Sequence, residues 1–138
     1  MSFRQEILND LEAEIKSLGV FKDTFKGVIP AWNYIRNTPA IAIAIQEEER
    51  RRVQTSGCQF DSALTIIIML YNEGSTRKFD DILSEYIELL ENTINKSEIL
   101  NSKTLDIYIE KVTNDTGLIH PKAIAELELK VFYRQNII

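Results

Sequence analysis

The side chains best suited to chemistry are scattered singly along this sequence. It contains one histidine and one cysteine, His120 and Cys58, in separate turn-prone segments. A transition-metal site needs several His, Cys or carboxylate ligands converging, so no site of that kind is expected. His120 stands just before Pro121, with no paired nucleophile in view, and reads as a loop imidazole rather than a general base. Cys58 reads as a small buried filler. A lone cysteine cannot close an internal disulfide, which suits a reducing cytoplasm.

Nucleotide chemistry is equally unsupported. Gly74-Ser75 stands alone, whereas a phosphate-binding loop needs a second glycine and a lysine at fixed spacing. Paired carboxylates occur at Glu47 to Glu49, at Asp80-Asp81 and at Glu126/Glu128. Their abundance makes each pair unspecific, and solvated faces account for them. The expectation is no catalytic residue, no cofactor and no metal.

The most distinctive run is Glu47-Glu48-Glu49-Arg50-Arg51-Arg52, three acids followed by three bases. One reading is a soluble strand end that resists aggregation. The other is a subunit or tube contact, in which the acidic half of one copy meets the basic half of its neighbour across a heterologous interface. Isolated exposed ion pairs contribute too little to choose between them.

The elements around these residues follow from periodicity. Ile7, Leu8, Leu11, Ile15 and Leu18 share one helical face, predicting an amphipathic helix over 2–18 that ends near Gly19. Val20 to Thr38 lacks a period and contains the only tryptophan, so it reads as a connector with room for one short strand at its start; Trp32 is expected to plug the core edge. Pro39 to Ile45 alternates isoleucine with alanine, a strand with a thick and a thin side. Phe60 to Tyr71 is apolar on both faces and belongs at the centre of a sheet.

The charged block lies between these two strands, followed by the turn-prone Val53-Gln54-Thr55-Ser56-Gly57, so the pair is expected to form a long hairpin. Each arm of about 12 residues would extend roughly 40 Å, comparable to the diameter of a compact chain of this length, so the hairpin is expected to protrude. A second helix is predicted over about 77–95, from Phe79, Ile82, Leu83, Tyr86, Ile87, Leu90 and Ile94. Two alternating strands follow at 103–112 and 122–134. The first carries Leu105, Ile107 and Ile109 on one face, and the second alternates from Ala123 to Tyr133.

Together these predict one α+β domain over 1–138, a mainly antiparallel four-stranded sheet with two principal helices in the order α-β-β-α-β-β. Two helices of real length, if both lie on one face, leave the other face to a neighbouring subunit. The chain has 138 residues, 44% of them hydrophobic, and can bury roughly two-thirds of its unfolded surface. Its longest apolar run, Ile66 to Tyr71, is far too short to span a bilayer, and the first ten residues do not form a secretory signal. A net charge of -5 does not suit holding a phosphate backbone.

The leading helix, the proline-led strand Pro39-Ala40-Ile41-Ala42-Ile43, the long strand Ala63 to Ile68, the acidic-start helix, and Gly117-Leu118 before a closing strand ending Leu129-Lys130-Val131-Phe132-Tyr133 come in a familiar order. Over nearly the whole chain this resembles the tail terminator proteins of long-tailed bacteriophages and related minor tail and tail-completion proteins. The resemblance implies a homohexameric ring that binds the last ring of tail tube protein, stops polymerisation, and presents a surface to the head connector or neck protein. It implies a virion tail protein, assembled in the host cytoplasm, without enzyme activity or membrane contact. DNA would only pass through the channel. Asp106, Glu110, Glu126 and Glu128, on the polar side of the last two strands, are the candidate channel lining, with solvent on the outer wall as the alternative. Arg50 to Arg52 suit a subunit or tube contact better than a channel wall. A head-to-tail connector shares size, charge and ring habit. A small ligand-binding regulatory domain is the alternative of another class, although it would normally show a glycine-rich ligand loop, and an enzyme ranks third.

Overall fold

The structure, a computed structural model, describes residues 2–53, 59–73, 79–114 and 122–136. Cys58 and His120, the turn at 54–57 and the Gly74-Ser75 pair lie outside the described residues, as do the side chains of Asp80 and Asp81. The first helix, α1, spans Phe3–Ser17. Ser2 and Gln5 cap each other reciprocally, satisfying two amide donors that the first turn leaves without partners. Ile7, Leu8, Leu11 and Ile15 form its buried stripe. The helix ends where Gly19 takes φ +65, a left-handed conformation that glycine adopts without steric cost.

The sheet has five strands and is mixed, which corrects the predicted four-stranded antiparallel arrangement. In spatial order they are β1 (Asp23–Lys26), β2 (Ala40–Arg52), β3 (Gln59–Glu73), β5 (Lys122–Asn136) and β4 (Asp106–Asn114). The extra strand, β1, lies near the start of the connector, where the sequence leaves room for one short strand, and runs parallel to the first four residues of β2, Ala40 to Ile43. Its four residues show no readable alternation; only the tertiary partner makes them a strand. All other neighbours are antiparallel.

The hairpin of β2 and β3 is also less independent than expected. Along its whole length, from Gln59 to Glu73, β3 pairs with β5, so the described arms are part of the sheet and do not stand out from it. A second helix, α2, covers Phe79–Lys96, and a short third helix, α3, covers Glu98–Lys103. Ser97 caps α3 by accepting from the Leu100 amide, and its hydroxyl donates to Glu14 on α1 at 3.2 Å. This helix replaces the predicted start of a strand at 103. Consequently Leu105 precedes β4 and is 65% exposed, not part of the apolar strand face.

The main core joins α1, α2 and Leu100 of α3 to one face of the sheet: Ile41 and Ile43 of β2, Leu64 to Leu70 at alternate positions of β3, and Ala123 to Tyr133 at alternate positions of β5. The three α-helices described therefore cover the same side. On the other side, among the described residues, one end is covered. There Phe25, Ile29, Trp32 and Ile35 fold over Ala40, Ala42 and Tyr71 as a smaller cluster. Trp32 meets Tyr71 edge-on at 5.4 Å, and the Tyr71 hydroxyl donates to the Pro30 carbonyl at 2.6 Å, tying the connector to the sheet. Among the described residues, no helix is long and apolar enough to cross a membrane.

Candidate functional site

What remains of the second face, beyond the Trp32 cluster, is an open polar surface built by the later half of β2 and its neighbours. Strand alternation alone does not say which charges it carries, because two bulges change the phase. In β2, Ile45 pairs with Ile66 and Glu47 with Thr65, so Gln46 is an extra residue. In β4, Ile109 pairs with Leu129 and Lys111 with Glu128, so Glu110 is extra.

After the first bulge, Glu48, Arg50 and Arg52 lie on the helix side, opposite Leu64, Ser62 and Phe60, while Glu47, Glu49 and Arg51 lie on the open side. The Glu47–Arg52 block is thus split between two environments. Glu48 has a side chain only 4% exposed; Arg50 Nε donates to its carboxylate at 2.6 Å, and the buried Tyr133 hydroxyl donates to its other oxygen. Burial works against ionising Glu48, but these two hydrogen bonds, with the Arg50 and Arg4 charges, outweigh it and hold the carboxyl below its ordinary value. Burial, then the Glu48 bond, pushes the Tyr133 hydroxyl well above the usual phenol range. The Tyr133 ring also packs on Phe3 at 4.6 Å, fastening the start of α1 to this end of the sheet. Arg52 lies over the Phe60 ring at 5.9 Å.

The four acids predicted as a lining fall on the open face. Asp106 stands opposite Phe132, Glu126 opposite Met69 and Thr113, and Glu128 opposite Ile67 and Lys111. Glu110, from its bulge, reaches Lys130 at 3.6 Å, and Lys130 donates to the buried Thr65 hydroxyl at 2.6 Å. Periodicity did not reveal the rest of the surface. Asp61 and Arg134 make a two-pronged ion pair, at 2.8 Å from Nε and 3.3 Å from the terminal nitrogen. The Arg134 bond, set against a smaller desolvation, holds Asp61 below the usual carboxylate range. Tyr108 and Phe132 stack with centroids 5.8 Å apart beside exposed Leu105. At this end of the sheet a cleft of about 370 Å³ is lined by residues of both phases, Arg50, Ser62 and Tyr133 of the helix side with Glu49, Asp61 and Phe132, and by Leu105.

The arrangement is one of paired charges around an aromatic patch. Among the described residues no group of three or more His, Cys, Asp or Glu side chains is placed to hold a metal ion. The described surface offers fixed charges and a stacked aromatic pair on a frame of paired strands, features suited to recognition. No individually curated protein matches the sequence. A family model described as Bacteriophage Tail Tube Terminator Protein matches residues 1–137, nearly the entire length over which the helix-backed sheet and its open face are built, and the chain belongs to that family.

Proposed function

We propose that this protein is a non-enzymatic component of the phage virion that assembles as a hexameric ring on the end of the tail tube, stops its polymerisation, and joins the tail to the head connector. The observation that carries this reading, beside the family, is the one-sidedness of the sheet. The three α-helices described back one face, and the other presents Asp106, Glu110, Glu126 and Glu128, with Lys111 and Lys130 among them. In a ring the helices make the outer wall and the open face makes the channel, where acidic side chains repel the DNA backbone and let it pass. The open-side members of the charged block, Glu47, Glu49 and Arg51, stand at the border of that face, where subunits or the tube make contact.

The test has two parts. Light scattering after size-exclusion chromatography, at low and high salt, is expected to give a six-chain species that loosens as salt screens its contacts. Adding the protein to tail tube protein during polymerisation should shorten the tubes, with ring density at one end in electron micrographs. Single chains at every concentration together with unchanged tube length would overturn the reading.

A further inference from the structure

Two stretches of strand edge in this sheet are without a neighbour among the described residues. Four of the 13 residues of β2 pair with β1, leaving nine, Ala44 to Arg52, with a free outer edge. At the opposite border, the nine residues of β4 pair only inward, with β5. A row of unpaired amides and carbonyls is a template for strand addition. We infer that the free edge of β2 pairs with the β4 edge of an adjacent copy, so that the sheets join into one closed belt; this rests on the ring reading above.

Three features select this occupant. The first is direction. Because β2, β3, β5 and β4 alternate in sense, β2 and β4 point opposite ways, and a rotation that preserves strand sense brings β2 of one copy antiparallel to β4 of the next. The second is level. Across the sheet Glu49 aligns with Ala63, Phe132 and Asp106, and Ala44 with Ile67, Glu128 and Lys111, so the two free edges overlap in height. The third is charge at an allowed stagger. Pleating permits only even shifts if the helices of both copies share a side, and closing a sheet requires some stagger. At zero shift Glu49 opposes Asp106, and a shift of two in one sense sets Glu47 against Asp106. A shift of two in the other sense puts Arg51 opposite Asp106, Glu49 opposite Tyr108 and Glu47 beside Lys111. Glu110 is already turned towards Lys130.

Self-pairing of β2 fits less well, although three acids followed by three bases look complementary to their own reverse. Matching Glu47 to Arg52, Glu48 to Arg51 and Glu49 to Arg50 opposes residues from different faces, which would throw the helices of the two copies onto opposite sides. With the helices on one side, the two-fold falls on a residue, so Glu49 meets Glu49, flanked by Glu48–Arg50 and Glu47–Arg51 pairs, or Arg50 meets Arg50, and a like-charge pair sits at the centre either way. Such a pair also closes after two copies and cannot propagate.

The test uses disulfide trapping in a C58S background, which leaves no native cysteine. Glu49 and Tyr108 are both exposed, so E49C and Y108C leave the core intact. Under mild oxidation the double variant is expected to give a ladder of cross-linked species up to six chains on a non-reducing gel. Mixing the two single variants should give dimers containing one of each. A ring by light scattering that stays uncross-linked overturns the edge pairing while sparing the ring. Dimers from E49C alone overturn it in favour of self-pairing. Cross-linked chains of other or open-ended size support the pairing and refute the six-fold ring, and the absence of both cross-links and rings removes both readings.

Discussion

Replacing Tyr133 with phenylalanine removes the buried hydroxyl that links the sheet to Glu48 of the charged block and also bonds with Ser62. The ring, its packing on Phe3 and its volume stay, and only the hydroxyl that donates to Glu48 is lost. A hydrogen bond to a charged group contributes about 1.5–3 kcal/mol, and here its loss leaves a nearly buried carboxylate oxygen with fewer partners. Unfolding entropy of roughly 2.1 cal/mol/K per residue gives a chain of this size about 290 cal/mol/K, so Tm should fall by about 5–10 °C near neutral pH. The sign of the pH dependence follows from Glu48. Its folded pKa lies below the ordinary 4.5, so the stability from its ionised form is present above 4.5 and is lost as pH falls through the folded value. The gap between Tyr133→Phe and the parent should therefore narrow in acid. At the other end, the raised Tyr133 pKa supplies stability below pH 10 that fades as pH rises through its folded value, and the variant has none of this to lose. Scanning calorimetry at fixed protein concentration, across acid, neutral and alkaline buffers, measures all three. Equal Tm values at neutral pH, or a gap that stays constant into acid, would refute the reasoning.

Three further outcomes are expected. Leu129→Ala, at a fully buried position in the centre of the sheet, should cost about 2–5 kcal/mol in denaturant unfolding, with an unchanged slope if the fold persists. Ser97→Ala removes both the cap of α3 and the tie to Glu14, and should cost about 1–2 kcal/mol by the same measurement. Glu126→Lys with Glu128→Lys should leave secondary structure unchanged by circular dichroism yet create salt-sensitive retention of duplex DNA in gel-shift assays, whereas the parent shows none.

How much of this was legible beforehand depends on the range of the interactions involved. The α1 stripe of Ile7, Leu8, Leu11 and Ile15, and the alternation from Ala123 to Tyr133, are local patterns, and the structure buries all of them. Four residues at Asp23 to Lys26 become a strand only because β2 lies beside them, and α3 is too short to show a period, with a capping serine as its one local mark. The four acids assigned to the polar face do share the open side, since most of them lie on β5 or before the β4 bulge, where the phase is regular.

The charged block shows where a pattern argument reverses. Read as one unit, Glu47 to Arg52 promises an acidic half and a basic half, but strand alternation sends neighbouring members to opposite sides, and the extra residue at Gln46 decides that Glu48, Arg50 and Arg52 take the helix side. Glu48 and Arg50 are thereby committed to Tyr133 and to each other inside the subunit, and Arg52 lies over Phe60. Glu47, Glu49 and Arg51 are left facing outward along an unpaired edge, where low individual ion-pair energies add to a row of backbone hydrogen bonds. A bulge cannot be seen in a run of charged residues, because no apolar side chain registers the change of phase. Its effect is nonetheless to choose which charges turn inward to hold the fold and which face outward to recognise another molecule, so variants at Glu48 should act on stability and variants at Glu49 on assembly.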